Sequence, residues 1–373
     1  MIIQTRKDVE ALRKVRGLQQ VTIRTARLKY RGLLPHAFRY AIWAVQTGGR
    51  IIVEDEPHSQ FAWYPHQFPF MIVRYVAARF MLRDAIVIRC DNKSGVMEFE
   101  RTSQPTEPGW AAGIVFSGDD AEIPGLLQCI AALQAQAELS YAGAITICGP
   151  ARNLDFLAPF PGVTYLEYEP PETARVTIAH KKNFLANSLA APRFIILHAR
   201  ILLEPGALAA LGDEFDFTTP LVRVNTTHGS ENYLCYGVSR SVSTALPPVG
   251  SVITLIDRNE RAYLDLLAKG APYIDGGVFA ARKAAFLDCP LNPCLAWGEA
   301  EDFEWCLRAF DGGHLVDMCV DSRAVSATNK NRHRVLFSHV PPGIQAAVRS
   351  AASAGKAVIN STLDATLQIM GKR

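Results

Sequence analysis

The sequence predicts an α/β fold: a mainly parallel, Rossmann-type sheet with flanking helices, preceded by a smaller α/β section. Three observations predict it. First, short and uniformly apolar runs recur, among them "AAGIVF" ending at 116, "ITIC" at 145–148 and "FIIL" at 194–197. Uniform apolarity marks strands buried on both faces, as in parallel sheets. Second, segments of helical period such as "IPGLLQCIAALQAQ" lie between them, and alternation of strand with helix builds parallel sheets with right-handed crossovers. Third, the strands stop at polar or turn residues: Ser117-Gly118-Asp119-Asp120, Gly149-Pro150 and His198-Ala199-Arg200. Ligands in such sheets gather at the carboxyl ends of the strands.

Size and composition bound what the chain does. Its 373 residues suffice for two domains, and 49% hydrophobic content supplies a large core. The net charge of +3 is too mild for a nucleic-acid binder, which needs a dense basic stripe. The N-terminus, "MIIQTRKDVEALRKVR", is charged and helical in pattern without the apolar region of a secretory signal, and no run of 18 apolar residues occurs. The eight cysteines lack zinc-ribbon spacing and are expected to be reduced and mostly buried. A cytoplasmic location follows as an expectation, and the sequons at Asn225 and Asn360 are then chance.

Three sections are expected: a small α/β section over 1–105, a main domain over 106–341 and an Ala-rich helical tail over 342–373. The divider is "TSQPTEPG" at 102–109, polar and proline-containing, which reads as a linker. Within the first section "VTIRT" and "RIIVED" are strands. "LLPHAFRYAIWAVQTGG" is a helix closed by its glycines, "FMIVRYVAARFML" is a helix, and "AIVIRCDNKSGVMEFER" is a hairpin turning near 92–95. The order helix, "GGRIIVED", helix, hairpin resembles the C-terminal half of a class I methyltransferase domain. The glycine-rich loop for the methyl donor belongs to the missing half, so the resemblance implies a docking or packing module without methyltransfer.

In the main domain, Gly276 and Gly277 precede the strand "VFAAR", where glycine lets backbone approach a ligand closely or forms a bulge. "EAEDFEWCLRAF" starts a helix with Glu299, Glu301 and Asp302 at its head. The helix dipole alone favours acids there; beside a double glycine and Trp297 they are also candidate functional carboxylates. Trp297 offers a sugar-stacking face or ordinary core. Asp119 and Asp120 supply a polar contact or cap the next helix.

Taken together, "ITICGP", "KKN" at 181–183, "RFIIL" with its polar triplet, and "DGGVFAARKAAFLDCPLNPCLAWGEAEDFEWCLRAFDGGH" resemble a GT-A glycosyltransferase of the family-2 kind over roughly residues 110–340. The resemblance implies a GT-A-like sheet and an inverting, single-displacement transfer of a sugar. The donor is a nucleotide-sugar. The acceptor is a glycan or lipid-linked molecule in polysaccharide or surface-glycan biosynthesis, reached at the inner face of the membrane by peripheral association. Asp302 would be the catalytic base, with Glu301 orienting the acceptor or the loop. Ser117, Asp119, Lys182, Asn183, His198, Arg200, Gly276 and Gly277 would face the donor, and Trp297 and Glu299 the acceptor. The family's Asp-x-Asp metal site falls on His198-Ala199-Arg200. Two readings follow: Arg200 pairs with the diphosphate without metal, or a divalent Mn or Mg persists with His198 and His339 as ligands, where a hard cation prefers oxygen. A non-catalytic GT-A-fold glycan-binding or scaffold protein is the alternative to an enzyme.

Overall fold

The computed structural model describes residues 1–28, 33–55, 68–91, 93–169, 171, 177–226, 229–232, 235–240, 251–256, 271–272, 274–295 and 301–327. Trp297, Glu299, His339 and the expected C-terminal tail lie outside these residues. Met1–Thr328 forms one compact unit.

The chain opens with β1 (Ile2–Ile3), α1 (Arg6–Arg13), β2 (Leu18–Arg24), α2 (Leu34–Ala44), β3 (Val45–Glu54), α3 (Phe68–Met81), β4 (Ala85–Asp91) and β5 (Val96–Arg101). Its five strands form a sheet in the order β1-β2-β3-β5-β4, parallel through β3 and then antiparallel. Thr5 starts α1 with a reciprocal capping box to Asp8. α2 is buried on every side, His36 and Arg39 included. The glycines do not close it. It ends at Val45, whose extended backbone opens β3 directly, and Gly48, at φ +78°, lies inside that strand beside a register shift against β2. The carbonyls left open at the end of α2 are satisfied from afar: Arg101, 3% exposed, donates to Ile42 O at 2.8 Å and to Val45 O at 2.7 Å.

The stretch 102–109 is tied down rather than a free linker. The backbone N–H groups of Thr102 and Ser103 both donate to Asp84 O, and Thr106 donates through N and Oγ1 to Glu214.

The remaining elements are β6 (Trp110–Val115), α4 (Ile123–Gln134), β7 (Ile145–Gly149), β8 (Val163–Glu167), α5 (Thr177–Ser188), β9 (Arg193–His198), β10 (Ile201–Leu203), α6 (Ala207–Leu211), β11 (Phe217–Thr226), β12 (Gly229–Asn232), β13 (Cys235–Arg240), β14 (Ser251–Ile256), β15 (Ala271–Pro272), β16 (Val278–Arg282), α7 (Lys283–Asp288), α8 (Glu301–Asp311) and β17 (Val316–Ser326). A nine-stranded sheet runs β10-β17-β11-β16-β9-β6-β7-β8, with β12 on β11. The half made of β9, β6, β7 and β8 is parallel, as the uniform apolarity of β6, β7 and β9 predicts. β16 enters antiparallel beside β9, so the residues just before β16 meet the carboxyl end of β9: Val278 registers with Leu197, and His198 N donates to Gly277 O at 2.9 Å.

Two cores form. One is continuous with the interior of the N-terminal section; the other packs Phe194, Phe217, Phe279, Phe286 and Trp305 on each other. A buried polar network joins the two sections. Arg39, fully buried, binds Asp84 at 2.5 Å and Asp216 at 2.9 Å, and Arg282 also reaches Asp216, at 2.8 Å. Tyr40 donates to Asp317 at 2.7 Å. Burial alone would raise the Asp216 carboxyl; Arg39, Arg282 and Arg83 hold it far below the ordinary carboxylate range.

His36, on the same helix, is fully buried, and neither ring nitrogen has a hydrogen-bond partner among the described residues. Burial pushes its imidazole down from 6.5 to about 4. The unfolded chain therefore binds more protons between those values, so stability is fully present above the unfolded pKa and falls as pH drops. Denaturant titrations at pH 7 and pH 4 should differ by about 3 kcal/mol from this residue, and His36→Phe should remove that part of the difference.

Seven of the cysteines are not in disulfides, Cys90 and Cys294 exposed and the other five buried. Burial raises the Cys129 thiol to about 12 and those of Cys148 and Cys289 to about 11, which removes them as nucleophiles. Among the described residues no helix is long and apolar enough to cross a membrane.

Candidate functional site

The carboxyl edge of β6, β7 and β9 collects the polar residues that the sequence places after strands. At its centre is the turn Asp275-Gly276-Gly277, fixed by the antiparallel entry of β16. Asp275 Oδ1 accepts Gly277 N at 2.7 Å. Asp302, second residue of α8, reaches across to accept Gly276 N at 2.8 Å through Oδ2, while its Oδ1 accepts Phe303 N at 2.9 Å. One carboxylate thus caps its own helix and braces the glycine turn.

Space around the glycines explains why both are glycine. A Cβ at Gly276 would lie 2.9 Å from Lys182 Nζ and 3.0 Å from Asp302 Oδ2. A Cβ at Gly277 would lie 2.8 Å from Arg200 Nη2 and 2.8 Å from Asp275 Oδ1. The turn therefore lies between two cations, Lys182 from α5 and Arg200 from the end of β9, which approach it only because no side chain intervenes. Lys182 is fully buried and its Nζ sits 3.5 Å from Glu301 Oε1, at the limit of a hydrogen bond. A buried ammonium with one long partner retains donor capacity. Arg200 Nη1 lies 2.8 Å from His198 Nδ1, and Arg200 Nε is buried without a hydrogen-bond partner among the described residues.

The structure thus brings together Lys182, His198, Arg200, Gly276, Gly277, Glu301 and Asp302. Asn183 does something else. Its side-chain amide brackets Leu291, donating to Leu291 O at 2.9 Å and accepting from Leu291 N at 3.1 Å, and so pins the segment after α7 to α5. Asp119 caps the short turn Asp120–Glu122, accepting Ala121 N at 2.9 Å, and Ser117 Oγ accepts Asp119 N at 3.0 Å. Both lie on the same edge, two and four residues beyond β6, in the capping arrangement that was one of the two readings of the aspartates. Arg308 pairs with Glu304 at 2.7 Å on its own helix and donates to Pro290 O, a structural role.

Two contributors are not apparent from the sequence. Arg152 donates to Gly118 O at 3.0 Å, pairs with Asp120 at 2.6 Å and lies over the rings of Phe116 and Phe156, so it ties the loop after β6 to the loop after β7. Lys181, 8% exposed, donates to Phe116 O at 3.0 Å and closes the end of β6. An arginine shortly after "ITICGP" is the only signal for the first. Nothing in the pattern distinguishes Lys181 from Lys182.

Among the described residues no group of three or more His, Cys, Asp or Glu side chains is arranged to hold a metal ion. The two expected ligands cannot be compared, because His339 is outside the described residues.

No family model and no curated protein matches the chain. Solved structures to which it is similar include GalNAc-T7 with UDP, GalNAc and Mn²⁺, at 14% identity over 65% of this chain and 47% of that one, with a TM-score of 0.44. Another is the mannosyltransferase PcManGT from Pyrobaculum calidifontis in complex with GDP-Man and Mn²⁺, at 14% identity over 62% of this chain and 60% of that one, TM-score 0.40. A third is S. aureus TarS 1–349, at 9% identity over 61% of this chain and 63% of that one, TM-score 0.39. The chain spans between 47% and 63% of the length of these structures. At such identities and scores none of them assigns an activity here.

Proposed function

We propose that the chain is an inverting glycosyltransferase of the GT-A kind. It would move a sugar from a nucleotide-sugar to a glycan or lipid-linked acceptor in surface-glycan synthesis, at the inner face of the membrane. The observation that carries this reading is the glycine turn at the carboxyl edge of the parallel strands, with a carboxylate, Asp302, on one side and a guanidinium, Arg200, on the other. That pairing fits single displacement. The acceptor hydroxyl passes its proton to Asp302 as its oxygen bonds to the anomeric carbon. The bond from that carbon to the diphosphate oxygen breaks on the opposite face. The departing diphosphate takes the electron pair, and Arg200 and Lys182 neutralise its charge. Glu301, held by Lys182, orients the acceptor, and the resemblance to GT-A glycosyltransferases adds Trp297 and Glu299 as acceptor-binding candidates.

The test is turnover across a panel of nucleotide-sugars in the presence of a chelator. Activity should persist without divalent metal, and Arg200→Ala should lower it about 10²–10³-fold. If no nucleotide-sugar is bound or turned over by the wild-type chain, the reading fails.

A second reading, a glycan-binding or scaffold protein without catalysis, is favoured by one observation: both Asp302 oxygens already accept backbone N–H groups. Each carboxylate oxygen has a further lone pair, so a proton still has a place to go, but a purely bracing carboxylate would look the same.

A further inference from the structure

The geometry assigns His198 as a positioning residue for Arg200, locked in the neutral tautomer that carries its proton on Nε2, and not as a metal ligand. The decisive contact is Nδ1 of His198 at 2.8 Å from Nη1 of Arg200. A guanidinium has five N–H donors and no acceptor, and it stays protonated in proteins. Arg200 must therefore donate, and His198 Nδ1 must accept with its lone pair. In a neutral imidazole the other nitrogen then bears the hydrogen. A metal on Nε2 needs a lone pair there, which forces the proton to Nδ1 and sets two N–H groups against each other across 2.8 Å. A metal on Nδ1 needs the lone pair that Arg200 already occupies. The residues present thus do not fit a divalent cation at this position.

They do fit an oxyanion. His198 holds one Nη of Arg200, the bare α-carbon of Gly277 makes room for the other, and Nε is left without a hydrogen-bond partner among the described residues. The backbone bond from His198 N to Gly277 O locks these parts to one another. The nearby carboxylates are directed to other donors: Asp275 to Gly277 N, Asp302 to Gly276 N and Phe303 N, and Glu301 to Lys182. A planar guanidinium fixed through one Nη keeps its other donors in the fork geometry that matches a phosphate. The ligand class is a phosphate or diphosphate oxygen. Naming it as the diphosphate of a nucleotide donor rests on the proposed function; the tautomer rests on the ligand-free geometry alone.

Histidine-selective ¹⁵N labelling of the full chain tests the assignment, with the His198 signals identified by their loss in His198→Asn. The expected result is an unprotonated Nδ1 and a protonated Nε2 that do not move on adding excess Zn²⁺. A proton on Nδ1, or a Zn²⁺-induced change at His198, overturns it. A second arm measures UDP and GDP affinity by calorimetry in chelator. His198→Asn, whose amide oxygen takes the place of Nδ1 as acceptor, should retain affinity. His198→Leu should weaken it about tenfold or more at unchanged thermal stability. Equal loss in both variants, or an affinity that Mn²⁺ raises in the wild type and in neither variant, sinks the positioning role. If UDP and GDP both fail to bind the wild type while the tautomer is as assigned, the His198–Arg200 unit stands and the nucleotide-donor reading falls.

Discussion

Asp302→Asn is expected to lower sugar transfer by about 10²–10⁴-fold while nucleotide affinity stays within about threefold. The split follows from what the side chain touches. Among the described residues it accepts the backbone N–H groups of Gly276 and Phe303. The asparagine oxygen keeps one of them, so the glycine turn retains a brace. The capacity to take a proton from an acceptor hydroxyl is lost, because an amide is not a base. Affinity for UDP or GDP should depend on Arg200 and Lys182, which the substitution leaves alone. Measuring single-turnover rate and nucleotide Kd on the same preparation separates the roles. Retained turnover would remove Asp302 from the base position and leave it as a brace; equal loss of rate and affinity would mean that the turn itself had collapsed.

Asp216→Ala should be among the most destabilising single substitutions in the chain, costing about 3–5 kcal/mol. Asp216 is fully buried. It pairs with Arg39 and Arg282 and also accepts Leu315 N at 2.9 Å. Truncation leaves the guanidinium of Arg39, itself fully buried, with Asp84 as its one remaining carboxylate, and leaves a buried amide unsatisfied. Removing one member of a buried ion group is far more damaging than replacing the whole group. A melting temperature lowered by roughly 6–15 °C would follow. The double variant Arg39→Met with Asp216→Ala should recover part of that loss. If the double variant is no better than Asp216→Ala, the cost lies in the lost Leu315 contact and not in the stranded charge.

Much of the layout was legible because it depends on local pattern. The runs ending at Phe116, Cys148 and Leu197 are apolar without alternation, and each became a central strand of the parallel half. The glycine pair before "VFAAR" and the acids heading α8 are 25 residues apart in sequence, yet their juxtaposition is a property of one strand entering antiparallel, and the residue types already pointed to a site. What escaped depends on long-range pairing. The tail of α2 seemed to be glycine-closed because a Gly-Gly pair after a helix is an ordinary terminator. Instead the open carbonyls are met by Arg101, more than 50 residues away, and the glycines serve the next strand. "TSQPTEPG" has the exposed, polar composition of a linker, and the partners in Asp84 and Glu214 that hold Thr102, Ser103 and Thr106 are ones no window reveals. The role of Arg39 was invisible for the same reason: it lies in a helix that is otherwise apolar, and its carboxylates come from two distant places. His198 was legible as a departure from an acidic metal motif, but its tautomer depends on where Arg200 folds back.

The position of β16 has a consequence for how the chain comes to its folded state. β16 and β17 are late in the sequence, yet they occupy inner places in the sheet, β16 between β9 and β11 and β17 between β11 and β10. Until residues near 282 have left the ribosome, β9 has one bare edge of unsatisfied amides, flanked by Phe194, Ile195, Ile196 and Leu197. Such an edge is a template for pairing with other chains, and contacts of this sequence separation form slowly. The same insertion that creates the glycine turn therefore makes the nascent N-terminal three-quarters of the chain a natural client for a holding chaperone, and it makes assembly of the site one of the last events of folding.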